Sequence, residues 1–357
     1  MPEEKSVLVG MSGGIDSTAV CSMLLRQGYR VEGLTLITCD SGLRAAEDAA
    51  ALAASLGIPH HIADVRDEFR NLVIEPFIND YMSGRTPNPC VNCNPGIKFR
   101  LLQEWADRLG CCRIATGHYV KIKKSDGSDG QPRYYIVTGD DDRKDQSYFL
   151  WRLTQQQLAR IIFPLGGWEK PDVLTYLEEN GLQSAAKDGE SMEVCFIPGD
   201  YRDFLRANVP DIDTRLGGGA FVDSNGRTLG KHCGYPFYTV GQRKGLGLAM
   251  GQPVYVCSKS MERNTVTVGP NHALFHRVLR ANDWNFFPFP TLTQPIRVKA
   301  KTRYRQAEQP ATVYPEADGY ARVEFDEPQR AITPGQAVVL YDGDLVVGGG
   351  TITEVIQ

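Results

Sequence analysis

The stretch VLVGMSGGIDSTAV, residues 7–20, decides the fold. Val7–Val9 read as the end of a β-strand, SGGIDS as a turn, and the residues from Ile15 onward as a helix. Gly13 and Gly14 permit backbone angles that other residues resist and let a phosphate approach the main chain. Successive amides at the turn and helix start form an anion-binding nest. Ser12 and Ser17 add hydroxyl donors. Asp16 has the wrong sign to bind phosphate directly, so its expected job is to hold a Mg2+ ion that bridges phosphates. The loop is not a Walker A loop, because the lysine after the second glycine is missing.

Outward from this loop the alternation continues. KSVLVG (5–10) reads as a strand, 15–27 as a helix, RVEGLTLI (30–37) as a strand and the alanine-rich 43–56 as a helix. IPHHIAD (58–64) is strand-like, 99–109 helical and CCRIATG (111–117) a strand. This predicts an α/β domain over residues 1–205, a parallel sheet with helices on both faces and its site at the carboxyl ends of the strands. After Asp200 the texture changes. GAFVDSNGRTLG (219–230) and PVYVCSKSMERNTVTVG (253–269) read as hairpins of a small central domain at 206–278. RVKAKTRYRQ, ATVYPEADGYARVEF and QAVVLYDGDLVVGG alternate throughout 279–357, which predicts an all-β barrel.

The chain has 357 residues, 42% of them hydrophobic and 23% charged, too long for one ordinary core and too apolar for disorder. MPEEKSVLVG places acids where an export signal needs basic residues, and its apolar run stops at Gly10. No apolar stretch approaches the roughly 18 residues of a membrane span. A cytoplasmic protein with no membrane partner is expected. The net charge of −4 does not announce a nucleic acid, so any such partner requires a local basic patch. One candidate is the run Arg297, Lys299, Lys301, Arg303 and Arg305, which reads as a strand whose alternation puts all five cations on one face. Arg243 and Lys244 on a glycine-rich loop are expected to add to that surface.

Nine cysteines in a chain without an export signal argue against a disulfide framework. GRTPNPCVNCNPGIKF (84–99), rich in proline and asparagine, reads as a polar loop carrying Cys90 and Cys93. Arg85 and Lys98 are placed to lower the thiol pKa values and favour thiolate, the reactive form. Structural zinc takes four ligands, usually from two such pairs, and no second pair of this spacing exists, so no metal site is expected on these cysteines. Cys195, in ESMEVCFIPGDYRDF (190–204), reads on residues alone as a core cysteine. Cys21, Cys39, Cys111, Cys112, Cys233 and Cys257 also read as structural. His118 reads as a satisfied structural histidine, and Asp140–Asp142 with Arg143 and Lys144 as a solvated loop.

The SGGIDS loop resembles that of the PP-loop ATP pyrophosphatases, which cleave ATP between its α and β phosphates and adenylate a substrate. Further motifs narrow the resemblance. GMSGGIDS, TPNPCVNCN, IKF, ATGHYV, KDQSYFL, EVCFI, TVGQRKGLG, KTRYRQ and TPGQAVV occur in that order. Together they are similar to the tRNA-specific 2-thiouridylases over nearly the whole chain. The resemblance implies a PP-loop domain, a small central domain and a C-terminal β-barrel. It implies ATP and Mg2+ as cofactors, tRNA as substrate, and a persulfide donor, either a sulfur-relay protein or a cysteine desulfurase. The ATP site then falls on Gly10, Met11, Ser12, Gly13, Gly14, Ile15, Asp16 and Ser17, with Leu36 and Gly117 near the nucleotide. The nucleophile falls on Cys93 and the persulfide carrier on Cys195, against the core reading of that residue. The target-base segment falls on Asn88, Pro89 and Cys90. Further tRNA contacts fall on His118, on Lys144, Asp145 and Gln146, on Arg303 and Tyr304, and on Gln336. Some family members have Asp where Cys90 stands, so a thiol is not required there. The rival reading is an iron–sulfur cluster on Cys90, Cys93 and Cys195 with one open iron. The persulfide reading is preferred because Cys195 can be loaded without metal assembly.

Overall fold

Val7, Leu8 and Val9 are all fully buried, because the strand that contains them has helices on both faces. The computed structural model describes residues 3–126, 130–182 and 194–356. β1 (Glu3–Gly10) lies between β2 (Arg30–Ile37) and β4 (Cys111–Ala115). β3 (His60–Asp64) and β7 (Ile161–Ile162) complete the order β3-β2-β1-β4-β7, with every pairing parallel. On one face Val7 and Val9 pack with Val20 and Leu24 of α1 (Ile15–Arg26), Ala49 and Ala53 of α2 (Gly42–Leu56), and Val173 and Leu177 of α8 (Lys170–Glu179). On the other, Leu8 and Leu34 meet Phe99, Leu102 and Ala106 of α6 (Phe99–Arg108). The expected parallel sheet, with a layer on each face, is therefore present.

Between β3 and α6 the chain is helical. α3 (Arg66–Phe69) and α4 (Glu75–Met82) are joined by a π turn, and α5 (Pro89–Cys93) runs through a second one, Asn94–Lys98, into α6. The stretch expected to be a loop is thus a helix from Pro89 onward. Pro89 stands in the first turn, where its missing N–H costs nothing. Pro95 lacks the proton that an α-helical bond requires, and the wider π turn carries the chain past it. α7 (Gln155–Leu158) starts at a Thr154 capping box, and α9 (Tyr201–Asn208) at an Asp200 cap. Residues 190–193, the start of the second cysteine stretch, lie outside the described residues.

The central domain is a four-stranded sheet in the order β10-β11-β8-β9. β8 (Gly219–Val222) and β9 (Thr228–His232) form one hairpin, β10 (Tyr255–Ser260) and β11 (Thr265–Gly269) the other, as the turn residues predict. The C-terminal barrel runs β12 (Phe275–Phe286), β15 (Ala321–Arg330), β14 (Gln309–Pro315), β13 (Ile296–Lys301), β16 (Ala337–Asp342), β17 (Leu345–Ile356), and closes by pairing β17 with β12. A hairpin of β5 (Val120–Asp126) and β6 (Pro132–Thr138), inserted between β4 and β7, adds itself to β17. One core runs without a break from Leu8 and Phe99 through Tyr148 and Trp151 to Val339 and Tyr341, so the barrel is fused to the first domain. No helix among the described residues is long and apolar enough to cross a membrane.

Candidate active site

β1 ends at Gly10, and the phosphate loop turns at the carboxyl edge of the sheet. Ser12 N–H donates to Ser17 Oγ at 3.3 Å, and Ser17 Oγ donates to the Gly14 carbonyl at 3.0 Å. These bonds curl the loop over the first turn of α1, whose leading N–H groups have no partner within the helix. Gly13 has φ +72°, and a Cβ there would stand 2.9 Å from the Ala45 carbonyl oxygen of α2. Only glycine lets the loop press this closely on α2. Gly117, just past β4, touches the loop from the other side: a Cβ there would lie 2.8 Å from Asp16 Cβ. Leu36, half-buried near the end of β2, completes the rim. All ten residues expected at the nucleotide thus gather at the carboxyl ends of β1, β2 and β4. Asp16 has company that the sequence did not announce. Its Oδ1 accepts hydrogen bonds from Tyr119 OH and Lys170 Nζ, each at 2.7 Å.

The cysteines meet on the far side of Gly117. Cys90 and Cys93 are half-buried on α5, not exposed on a loop. Burial pushes both thiols up, and Lys98 opposes the shift without overcoming it. The expected lowering by Arg85 is absent, because Asp80 holds that guanidinium at 2.6 Å. Cys195 is exposed, which corrects its reading as a core residue. The buried Phe196 packs edge-on against Phe69, Phe77 and Phe204 and anchors the turn that presents Cys195. Desolvation by the surrounding protein pushes its thiol up to about 12, with the neighbouring Cys93 and Cys90 adding to the rise and Lys98 opposing it. The two cysteine stretches, far apart in sequence, therefore converge. Cys39 joins them, with its Sγ 4.0 Å from the Cys195 carbonyl oxygen and 3.1 Å from Ser41 Oγ. It had read as structural. Among the described residues, no group of three or more His, Cys, Asp or Glu side chains is arranged to hold a metal ion.

One short run connects the loop and the thiols. Gly117 abuts Asp16, and His118, the next residue, has Nε2 3.5 Å from Lys98 Nζ. His118 Nδ1 bonds Thr116 Oγ1 at 2.7 Å. Burial, and then the charge of Lys98, holds His118 well below the ordinary histidine range, so it is neutral. Gln336 Nε2 donates to the carbonyls of Thr86 and Pro87 at 2.9 and 3.0 Å and so fixes the segment leading to Asn88, Pro89 and Cys90. A cavity of about 290 Å³ opens beside that segment, lined by Arg85, Asn88, Asn92, Arg152, Asp283 and Thr351 among others.

The remaining candidates are more dispersed. Asp145 is buried and accepts bonds from Gly139 N–H and from Ser147 N–H and Oγ. Gln146 Oε1 accepts from Tyr119 N–H at 3.1 Å, and Lys144 N–H from the same segment bonds Asp141. Tyr304 packs on Phe149 at 4.6 Å. Arg303 donates to the Val240 carbonyl and to Thr333 Oγ1 at 2.9 and 2.7 Å, bridging the central domain and the barrel. The five-cation stripe is shorter than expected. β13 ends at Lys301, where a turn closed by Thr302 Oγ1 and Gln306 Oε1 at 2.8 Å takes over, so Arg303 and Arg305 leave the strand. Arg297 pairs with Asp326, and Lys301 with Glu308 at 3.8 Å.

Comparison with known proteins shows the family. Residues 5–199 match the family described as tRNA methyl transferase HUP domain, 202–270 the tRNA methyl transferase PRC-barrel domain, and 276–352 the aminomethyltransferase beta-barrel domain. The tRNA-specific 2-thiouridylase MnmA 3 of Phocaeicola vulgatus is 47% identical over 359 residues, spanning 98% of this chain and 94% of that protein. The namesake from Bacteroides fragilis is 49% identical over 349 residues, at 98% and 94% coverage. The tRNA-specific 2-thiouridylase MnmA of Heliobacterium modesticaldum is 47% identical over 363 residues, at 98% and 92% coverage. At such identity over nearly its full length, the chain belongs to the tRNA-specific 2-thiouridylase family.

Proposed function

We propose that the protein is a cytoplasmic, ATP-dependent tRNA-uridine 2-sulfurtransferase that thiolates the wobble uridine. The observation that carries the reading is the continuity from Asp16 through Gly117 and His118 to Lys98 and the three thiols. It sets a phosphate-binding loop and a sulfur-handling cluster on one rim.

ATP lies with its phosphates on the amides of Gly13 to Asp16 and the hydroxyls of Ser12 and Ser17. Gly10, Met11 and Ile15 shape the loop, and Leu36 and Gly117 flank the nucleotide. The residues fit a Mg2+ ion. Asp16, an oxygen donor at the phosphate loop whose Oδ1 is held by Tyr119 and Lys170, would hold the ion. When bound, such an ion supplies neutralising charge at the phosphates.

The wobble base is unstacked and enters beside Asn88, Pro89 and Cys90. Its 2-carbonyl oxygen attacks the α-phosphorus and pyrophosphate leaves, so that AMP becomes the leaving group at carbon 2. Cys195 carries a persulfide received from a sulfur-relay protein or a cysteine desulfurase. Its outer sulfur attacks carbon 2 directly, or leaves as hydrosulfide when the Cys93 thiolate attacks the inner sulfur and then attacks carbon 2. AMP departs. In the direct route the Cys93 thiolate then attacks Cys195 Sγ and breaks the S–S bond, leaving the outer sulfur on carbon 2; in either order Cys93 ends bonded to Cys195, and an external dithiol reopens the disulfide. The nearby ammonium of Lys98 stabilises the Cys93 thiolate. The persulfide route is preferred to an iron–sulfur cluster on Cys90, Cys93 and Cys195 because Cys195 can be loaded without metal assembly. Lys144, Arg303 and Tyr304 belong to the tRNA-facing side. His118, Asp145, Gln146 and Gln336 serve it through the segments they hold.

The test is a reconstituted reaction of protein, tRNA, ATP and a persulfide-loaded desulfurase. AMP, pyrophosphate and 2-thiouridine are expected by mass spectrometry, with no product from Cys93→Ser or Cys195→Ser and residual product from Cys90→Ser. ADP and phosphate as products overturn the reading.

A further inference from the structure

The loop GMSGGIDS, residues 10–17, contains no lysine or arginine. Its amides and hydroxyls offer partial charges, and Asp16 adds a negative one. A triphosphate seated there needs a protein cation from another part of the chain, beyond whatever metal accompanies it. Lys170 is the side chain in position. It is the first residue of α8, and its Nζ lies 2.7 Å from Asp16 Oδ1. Its side chain is only 14% exposed, and the ammonium stands 5.9 Å from the centre of the Tyr119 ring. Packing and one hydrogen bond hold its base in place: α8 packs on α1 through Val173 and Leu177, and Lys170 N–H donates to Asp141 Oδ2 at 3.0 Å. Tyr119 OH bonds the same Oδ1, so Asp16 keeps a partner when the ammonium moves away.

We infer that Lys170 is the phosphate-tail cation of this site: it rests on Asp16 when the loop is empty and turns to the β and γ phosphates when ATP binds. The inference rests on the ATP reading above. It gives Lys170 the charge role that a Walker lysine has in other nucleotide loops, delivered here from a separate helix. A lysine that served only to lock α8 onto α1 would not discriminate between nucleotides. A phosphate-tail cation must discriminate, because AMP lacks the groups it meets.

The experiment measures binding of α,β-methylene-ATP and of AMP, both with Mg2+, to the full-length protein and to Lys170→Gln and Lys170→Arg. Glutamine can still donate a hydrogen bond to Asp16 and so preserves the fold, which urea unfolding confirms. Loss of a hydrogen bond to a charged group predicts affinity for the ATP analogue lower by about tenfold or more in Lys170→Gln. AMP affinity is expected to change by less than about twofold. Lys170→Arg keeps the charge and is expected to recover most of the loss. Equal losses for both nucleotides, or none for the analogue, overturn the role of Lys170. Failure of the unaltered protein to bind either nucleotide overturns the ATP reading, and this inference with it.

Discussion

Gly117→Ala tests whether the phosphate loop is held against the end of β4 as closely as the structure has it. The new Cβ would lie 2.8 Å from Asp16 Cβ, 3.2 Å from Asp16 C and 3.4 Å from Ser17 N. Carbon atoms prefer roughly 3.5–4.0 Å, so the strand end or the first turn of α1 must retreat by about 0.7 Å or more. Neither is the free tip of a flexible side chain. Overpacking of this kind costs about 1–3 kcal/mol. That is about 5- to 150-fold in an equilibrium constant. If the strain remains in the folded protein, the urea midpoint falls. If the loop relieves it by moving Asp16 and its neighbours, affinity for α,β-methylene-ATP falls instead. The two measurements together account for the cost. Gly42→Ala is the control: its Cβ makes only ordinary contact, 3.7 Å from Ile37 Cα, and both quantities should stay near the parent values. An alanine at 117 that changes neither stability nor affinity refutes the packing of Gly117 on Asp16.

Two further outcomes follow from the site's electrostatics. His118 is buried with its pKa held well below 6.5, so the unfolded chain takes up a proton that the folded one does not. Its contribution to stability is present above the unfolded value and lost as pH falls through the acid range, at about 1.4 kcal/mol per pH unit below pH ~6. His118→Gln should reduce the slope of unfolding free energy between pH 6 and 5 by about that amount; an unchanged slope contradicts a neutral buried imidazole. Cys195 has its thiol pushed up to about 12, chiefly by burial, with Cys93 and Cys90 adding. Its alkylation by iodoacetamide, followed by peptide mapping, should therefore rise about tenfold per pH unit from pH 7 to pH 9. A plateau before pH 9 would show that Lys98 outweighs burial after all.

The architecture was readable where a local pattern has a single structural meaning. A strand covered on both faces is an unbroken apolar run, and Val7–Val9 could be nothing else. The hairpins of the central domain were marked by their turn residues. Misreadings arose where local chemistry has two meanings. Proline and asparagine at 84–99 signal a loop or a helix start with equal force, and only the packing of Val91 and Ile97 into cores decides for helix. The alternation of RVKAKTRYRQ continues past Lys301, yet a side-chain bond from Thr302 to Gln306 turns the chain, a choice that alternation does not register. The β5–β6 hairpin passed unnoticed because its lysine-rich first strand looks solvated, and its outer partner, β17, is at the far end of the chain.

The same division holds within the site. The phosphate loop is a set of adjacent residues, so Ser12, Gly13, Gly14, Asp16 and Ser17 were legible as candidates from the run itself, while Gly10, Met11 and Ile15 followed from the family resemblance. Cys195 was not legible, because a cysteine beside Phe196 and Ile197 looks like core until one sees those two side chains buried while Cys195 itself is an exposed residue. The cations are harder still. Lys170 stands before a proline at the start of a helix with no motif to mark it, and its partner Asp16 is 154 positions away in sequence. Lys98 was noticed only for its charge, although its position follows from geometry: the π turn ending at Lys98 places its ammonium within 3.5 Å of the His118 ring. A Walker loop carries its cation within the motif and so advertises it. Here the loop carries an acid instead, and helices that arrive from elsewhere bring the positive charges. The feature that separates this site from an ordinary glycine turn thus resides in the packing of α8 on α1 and of α5 and α6 beneath His118, and no window of sequence contains it.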